Sequence, residues 1–128
     1  MKTLIISFAL ITTFACAVSA QSLKRLQFAK GSSSASVSGQ TGTAGTSFVV
    51  RARSGQKMII YVTPKNGVGI KVEHDGRFGH EVMLREERGG TYEVGLEESG
   101  DYTIFLGSTN GRATTFTMTV KIVKMTDI

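Results

Sequence analysis

Strict alternation of apolar and polar residues is the feature of this sequence that most limits its fold. In the stretch TTFTMTVKI, residues 114–122, every second position from Phe116 to Ile122 is apolar and the residues between are threonine or lysine. Successive side chains of a β-strand point to opposite faces, so this pattern predicts one buried and one solvated face. The same alternation predicts eight or nine short strands, with apolar pairs or triplets at Leu26 and Phe28; Ala35 and Val37; Phe48, Val50 and Ala52; Met58, Ile60 and Val62; Val68, Ile70 and Val72; Val82 and Leu84; Tyr92, Val94 and Leu96; Tyr102, Ile104 and Leu106; and the stretch above.

Short glycine-containing turns separate the predicted strands. Glycine and its Asn, Asp or Ser neighbours tolerate the backbone of tight turns, and no segment shows a sustained helical period. Regularly spaced short strands of this kind are typical of an antiparallel β-sandwich, so we predict an all-β fold of about eight strands. The turns are expected at 39–45, 54–55, 65–67, 75–76, 89–90, 99–100 and 110–111, and the core at Phe28, Val50, Ile60, Ile70, Val94, Ile104, Met118 and Val120.

The first twenty residues have the pattern of an export signal. Lys2 precedes an apolar run, and the run ends in Val18-Ser19-Ala20, a small-residue pattern that signal peptidase cleaves. We therefore expect a signal peptide at 1–20 and one β-sandwich inhibitor or binding domain at 21–128, which leaves 108 of the 128 residues. A chain of that size buries enough surface for a single core. Loss of Lys2 lowers the formal net charge from +5 to +4.

Cys16, the single cysteine, lies inside the expected signal. The mature chain would then have no thiol for a disulfide, a metal site or a nucleophile. Alternatively, the segment from Thr13 to Cys16 is a lipobox and the product carries a lipid anchor. Because Thr13 is a poor residue three places before such a cysteine, we expect a product without a stable membrane anchor. Export without a disulfide framework is typical of a bacterial periplasm or exterior.

Catalytic and metal chemistry is poorly supported by the sequence. Ser99 lies in a turn rather than in a G-x-S-x-G elbow, so it lacks the context of a hydrolase nucleophile. The two histidines, His74 and His80, flank the segment from Asp75 to Gly79 at a spacing that matches no standard metal site. We interpret both as surface loop histidines, and we expect no metal, no cofactor and no enzymatic activity.

Carbohydrate cleavage and nucleic-acid binding are also disfavoured. The candidate carboxylates, at Glu86, Glu87, Glu97 and Glu98, fall in polar turns, whereas a glycosidase places one carboxyl in an apolar cleft. The basic residues are interspersed with acidic ones and are not interleaved with aromatics, which argues against nucleic acid. Binding through the loops of a rigid sandwich is the function that remains.

Four stretches of the chain resemble a known family. LQFAKGSSSASVSG, FVVRARSGQKMIIYV, YEVGLEESGDYTIFL and TTFTMTVKI, which span about Leu26 to Ile122, are similar to periplasmic inhibitors of goose-type and invertebrate-type lysozymes. The resemblance implies a small β-sandwich related to pre-peptidase C-terminal domains. It also implies that exposed loops block the lysozyme cleft, one of them with a Ser-Gly-x-Tyr motif. Ser99, Gly100 and Tyr102 match that motif, with Asp101 at its variable position.

The resemblance leaves several points open. Goose-type inhibitors carry a longer, arginine-rich loop where this chain has GSTNGRAT, with Arg112 as its only charge, so the lysozyme class is not decided. A net charge of +4 does not steer the protein towards a basic lysozyme, so a neutral or acidic one is favoured. Whether the protein is a monomer or a homodimer is also open.

The motif itself has a purely structural interpretation. Gly100 suits a tight hairpin. Tyr102 lies two positions before Ile104 and so on the same strand face, which makes Tyr102 either the first core residue of that strand or part of an interface. The alternative function is a non-catalytic pre-peptidase-type sandwich that binds carbohydrate or another surface protein. Its aromatic candidates are Tyr61 and Phe78.

Overall fold

The computed structural model describes residues 22–28 and 33–125. The expected signal peptide, its cleavage site and Cys16 lie outside the described residues. Within them, no helix has the length and hydropathy that crossing a membrane requires. The described residues form nine strands: β1 (Ser22–Arg25), β2 (Ser34–Thr41), β3 (Thr46–Ala52), β4 (Gln56–Thr63), β5 (Val68–Gly76), β6 (Gly79–Glu86), β7 (Gly90–Leu96), β8 (Gly100–Ser108) and β9 (Thr114–Lys124).

The strands form two packed sheets, which confirms the predicted β-sandwich. One sheet has five strands in the order β1-β3-β8-β5-β6, and the other has four in the order β2-β9-β4-β7. Neighbouring strands are antiparallel except β1 and β3, which are parallel. The predicted first strand is displaced, because Leu26 and Phe28 follow β1 instead of lying in it. The Leu26 amide still donates to the Val49 carbonyl at 2.9 Å.

Most of the predicted turns carry the chain from one sheet to the other. Six of the seven join strands of different sheets, and only the turn at Asp75-Gly76 belongs to a hairpin, between β5 and β6. The interpretation of Ser99-Gly100 as a tight hairpin is therefore wrong, because this segment links β7 of the four-stranded sheet to β8 of the five-stranded sheet. Turn residues relieve backbone strain in a crossover just as they do in a hairpin, so turn chemistry alone does not distinguish the two.

The core fills the space between the sheets and follows the alternation except in β6, where Val82 is exposed. Seven of the eight predicted core residues are buried, whereas Phe28 is only partly buried and packs against the core. Phe48 of β3 and Phe116 of β9 meet edge to face across the sandwich, with ring centroids 6.1 Å apart and an interplanar angle of 72°. This is a favourable arrangement for aromatic pairs.

Strand β8 runs from one end of the sandwich to the other. Strand register places the loops 53–55, 77–78 and 97–99 at the end where β8 begins, which we call the Ser99 end. The loops 42–45, 64–67, 87–89 and 109–113 lie at the end where β8 finishes, which we call the Arg112 end. A strand of nine residues spans about 30 Å, so the two ends present separate surfaces.

Candidate functional site

The Ser99 loop, residues 97–99, is attached to the core through Tyr102. The Tyr102 side chain is fully buried, and its phenol donates a hydrogen bond to the Glu98 carbonyl at 2.5 Å. Burial raises the pKa of this phenol, so it stays protonated and remains a donor at neutral pH. A tyrosine that bonds back to an upstream carbonyl in this way is a tyrosine corner. Of the two possibilities for Tyr102, the structure supports a core position.

The same corner occurs at the Arg112 end. The phenol of Tyr92 donates to the Arg88 carbonyl, four residues upstream, at 2.7 Å. Gly90 and Gly100 each precede their tyrosine by two residues, and both have a φ of +145°, which disfavours any residue with a Cβ. Glycine and tyrosine of the motif are therefore parts of a turn between sheets. The sequence does carry a signal for this role, which the sequence-based prediction does not use: Gly-x-Tyr occurs at 90–92 and again at 100–102.

Ser99 is the member of the motif that distinguishes the two corners. It is exposed, and its hydroxyl oxygen accepts a hydrogen bond from the Ser54 amide at 2.9 Å. The matching position in the other corner, Gly89, is buried, and a Cβ there would lie 2.3 Å from the Pro64 carbonyl oxygen. Within the described residues, no acceptor takes the Ser99 hydroxyl proton. Ser99 thus offers a hydrogen-bond donor on a loop of fixed position.

Glu98 ties the Ser99 loop to the β5–β6 hairpin. Its carboxylate accepts from the Arg77 amide at 3.1 and 3.4 Å, and it lies 3.3 Å from Nε2 of His74. The Arg77 N–H and then the His74 ring lower the pKa of Glu98, because both stabilise its ionised form. The sequence predicts a solvated turn for Glu98, and no local feature of the sequence indicates this tertiary contact.

His74 is buried, which corrects its interpretation as a surface loop residue. It lies in β5, and its ring stacks on that of Tyr102 with centroids 4.1 Å apart and 14° between the planes. Its Nδ1 donates to the Asp101 carbonyl at 3.0 Å. The alternation of Val68, Ile70 and Val72 continues to position 74, and that parity was the available signal for burial.

His80 is exposed, as expected, but it belongs to strand β6 and not to a loop. Its Nδ1 lies 2.8 Å from a carboxylate oxygen of Asp75, and this contact raises the pKa of His80. No cluster of three or more His, Cys, Asp or Glu side chains with the geometry of a metal site occurs within residues 22–28 and 33–125.

Asp101 lies on the outer face of the five-stranded sheet, next to the Ser99 end. Arg25 donates two hydrogen bonds to its carboxylate, at 3.2 and 3.1 Å, and Nε of Arg51 lies 3.8 Å away. The paired Arg25 guanidinium lowers the pKa of Asp101. Its carboxylate therefore joins β8 to the edge strand β1 and to β3.

Arg112 lies at the opposite end from the Ser99 loop. Its amide donates to Oδ1 of Asn110 at 2.9 Å, and its carbonyl accepts from the Ser108 hydroxyl at 2.6 Å. Those bonds shape the β8–β9 loop, and the Arg112 side chain is exposed beyond it. The structure therefore gathers Ser99, Gly100, Asp101 and Tyr102 at one end and places Arg112 at the other.

Solved structures of other proteins share this fold, among them two lysozyme inhibitors and a collagenase domain. PliG of Aeromonas hydrophila, a periplasmic inhibitor of g-type lysozyme, aligns with a TM-score of 0.70 and 24% identity, over 80% of this chain and 96% of that one. The Salmonella Typhimurium PliG, described in the same terms, aligns at 0.62 and 22% identity, over 79% and 97%. The pre-peptidase C-terminal domain of a Bacillus anthracis collagenase aligns at 0.52 and 10% identity, over 78% and 93%.

These similarities confirm the sequence resemblance at the level of the fold. The two inhibitors and the pre-peptidase domain are the kinds of sandwich that the resemblance implied. No protein-family model matches the chain, and no curated protein matches its sequence.

Proposed function

We propose that this protein is an exported lysozyme inhibitor that places the Ser99 loop in the glycan-binding cleft of the enzyme. The observation that carries the proposal is an exposed serine on a loop held at three points, within a fold shared with periplasmic lysozyme inhibitors. The three points are the Ser54 amide on Ser99, the Tyr102 phenol on the Glu98 carbonyl, and the Arg77 amide on the Glu98 carboxylate.

The geometry suits occlusion. Glycoside hydrolases place a pair of carboxyl groups on either side of the scissile bond, so a hydroxyl donor is a suitable partner for the cleft. A loop that is already ordered loses little conformational entropy on binding, which favours affinity.

The residues of the motif take different roles in this proposal. Ser99 and Gly100 meet the enzyme directly. Tyr102 holds the loop from the core, and Asp101 fixes the start of β8 through Arg25. Arg112 lies too far from Ser99 to enter the same cleft, so any contact that it makes belongs to another surface.

The enzyme class that we propose is g-type, because the inhibitors that share the fold act on that class. The exported location follows from the predicted signal and agrees with the periplasmic setting of those inhibitors. The carbohydrate-binding alternative has less support. Tyr61 lies on the outer face of the four-stranded sheet, and Phe78 lies at the Ser99 end, so the two aromatics do not form one sugar-stacking surface.

A lysis assay with purified mature protein tests the proposal. Chicken-type, goose-type and invertebrate-type lysozymes are each titrated with the wild type, with Ser99→Ala and with a control, Ser38→Ala. Ser38 is also exposed and makes one hydroxyl bond, to Thr117 at 3.1 Å, but it lies on the four-stranded sheet. We expect Ser99→Ala to weaken inhibition of the goose-type enzyme by roughly 1–3 kcal/mol. The melting temperature should hardly change, because the Ser54 amide bond that is lost is exposed and water can replace its acceptor.

The control variant should inhibit like the wild type. Absence of inhibition of every class by the wild type would refute the proposed function. Full inhibition by Ser99→Ala would remove the serine hydroxyl from the mechanism while leaving the inhibitor assignment in place.

A further inference from the structure

The turn between β5 and β6 places an exposed phenylalanine, Phe78, beside the Ser99 loop. Phe78 is 93% exposed, well above the next large apolar side chain of the described residues, Leu23 at 67%. An exposed phenylalanine at a turn tip adds nothing to the core. Single exposed apolar residues are common, so exposure alone does not indicate a site.

The backbone of the turn that carries Phe78 is nevertheless tied to the Ser99 loop. The turn has only two residues, Arg77 and Phe78, between the paired glycines Gly76 and Gly79. Glu98 directly precedes Ser99, and its carboxylate accepts two hydrogen bonds from the Arg77 amide. The serine loop and the phenylalanine turn are therefore joined through one carboxylate.

The composition of the turn is that of a binding anchor. The Arg77 guanidinium lies 6.0 Å from the centre of the Phe78 ring. Aromatic residues and arginine are enriched at protein interfaces and in their energetic centres. Within the described residues, no carboxylate lies within ion-pair distance of the Arg77 guanidinium, whose charge acts on Glu98 only from farther away, so the guanidinium can still pair with a partner.

We propose that the Arg77–Phe78 turn is a second contact element for the same lysozyme, seated against the wall of the cleft that the Ser99 loop enters. This inference rests on the proposed function and extends it. The surface that fits the turn is an apolar pocket for the ring with a carboxylate nearby for the guanidinium. Glycosidase clefts carry such carboxylates, and this gives the complementary charge.

The contact has a physical reason to strengthen binding. The ring is exposed in the free protein, so its burial in a partner removes apolar surface from water. The short turn and the Glu98 bonds hold the backbone of the turn in place beforehand, which reduces the entropy lost on binding. Glu98 then sets the spacing between two contact elements, the Ser99 loop and the Arg77–Phe78 turn. Neither element would require this role of Glu98 if it acted alone.

Calorimetric titration of a g-type lysozyme tests the inference. The variants are Phe78→Ala, Arg77→Ala, Ser99→Ala and a control, Tyr61→Ala, which removes another exposed aromatic on the four-stranded sheet. We expect Phe78→Ala to weaken affinity by roughly 10- to 100-fold and Arg77→Ala by about 3- to 10-fold. The melting temperature of both variants and the affinity of the control should equal those of the wild type.

The outcomes separate this inference from the function on which it rests. Wild-type affinity in Phe78→Ala, together with weakened binding by Ser99→Ala, overturns the second contact and leaves the inhibitor proposal intact. Failure of the wild type to bind lysozyme overturns both.

Two parallel measurements address other occupants of the turn. Titration of the wild type and of Phe78→Ala with an N-acetylglucosamine oligomer tests sugar stacking, and sedimentation of both tests a second copy of this chain. Loss of sugar binding or of a dimer in Phe78→Ala, with lysozyme affinity unchanged, would assign the turn to that occupant instead.

Discussion

Replacement of Tyr102 by phenylalanine tests whether the tyrosine corner supports both the fold and the proposed inhibition. The substitution keeps the buried ring and its stacking on His74, and it deletes only the hydroxyl that donates to the Glu98 carbonyl. The perturbation is therefore confined to one hydrogen bond at the base of the Ser99 loop.

The expected loss of stability follows from that bond. A hydrogen bond contributes about 0.5–1.5 kcal/mol net, and an acceptor left without a partner in the interior costs about 1–3 kcal/mol. Because the Glu98 carbonyl is only partly buried, water replaces some of what is lost, and about 1 kcal/mol is expected. For a domain of about 100 residues, this corresponds to a fall in melting temperature of about 4–8 °C.

The expected loss of binding follows from the loop. Without the phenol, residues 97–99 lose one of their three attachments, so ordering the loop on the enzyme costs additional entropy. We expect affinity for lysozyme to fall by about 3- to 10-fold. Calorimetric melting and titration of lysozyme with the same preparation measure both effects.

Tyr92→Phe is the matched control, because it removes the equivalent bond from the corner at the Arg112 end. It should lower the melting temperature by a similar amount and leave affinity unchanged. Equal losses of affinity in the two variants would show that general destabilisation, and not the Ser99 loop, is responsible. An unchanged melting temperature in Tyr102→Phe would refute the structural role of the corner.

Three further predictions concern the core, the corner glycine and the acidic anchor. Ile104 is fully buried, so Ile104→Ala should lower the free energy of unfolding by about 2–5 kcal/mol in urea titration, and an unchanged midpoint would contradict its place in the core. Gly100→Ala should destabilise by about 1–3 kcal/mol because its φ is +145°, whereas Gly42→Ala, where an added Cβ meets nothing within 4 Å, should have little effect in the same thermal melts. The pKa of Glu98 is lowered by the Arg77 amide below its ordinary value of 4.5, so Glu98 stabilises the fold above that pH and this contribution disappears as pH falls through the folded-state pKa. Urea titrations at decreasing pH should show a smaller acid loss in Glu98→Gln than in the wild type, and identical pH profiles would exclude Glu98 from the acid response.

Much of the fold could be predicted because alternation is a local property. Each predicted apolar set after Phe28 falls in a strand of the structure, and parity correctly assigned Val50, Ile104 and Met118 to the core. The same alternation, extended from Val72 to the next position on that strand face, also predicts that His74 is buried. The buried position of Tyr102 was one of two possibilities that parity allowed.

Much of the candidate site could not be predicted, because its contacts join residues that are distant in sequence. The Ser54 amide meets Ser99, the Arg77 amide meets Glu98, and Arg25 meets Asp101. Nothing near any of these residues in the sequence indicates its partner. The separation of Arg112 from the Ser99 loop likewise depends on the direction of β8 in the assembled sheet.

The sequence by itself determined that the chain forms short strands with one apolar face, separated by glycine-containing turns. It did so because side-chain direction along a strand and the φ of a turn are set by neighbouring residues. Only the tertiary structure decided which sheet each strand joins, and therefore that Ser99-Gly100 is a crossover at the end of the sandwich. That choice depends on how the apolar faces pack together, and the free energy of that packing is shared among all the strands.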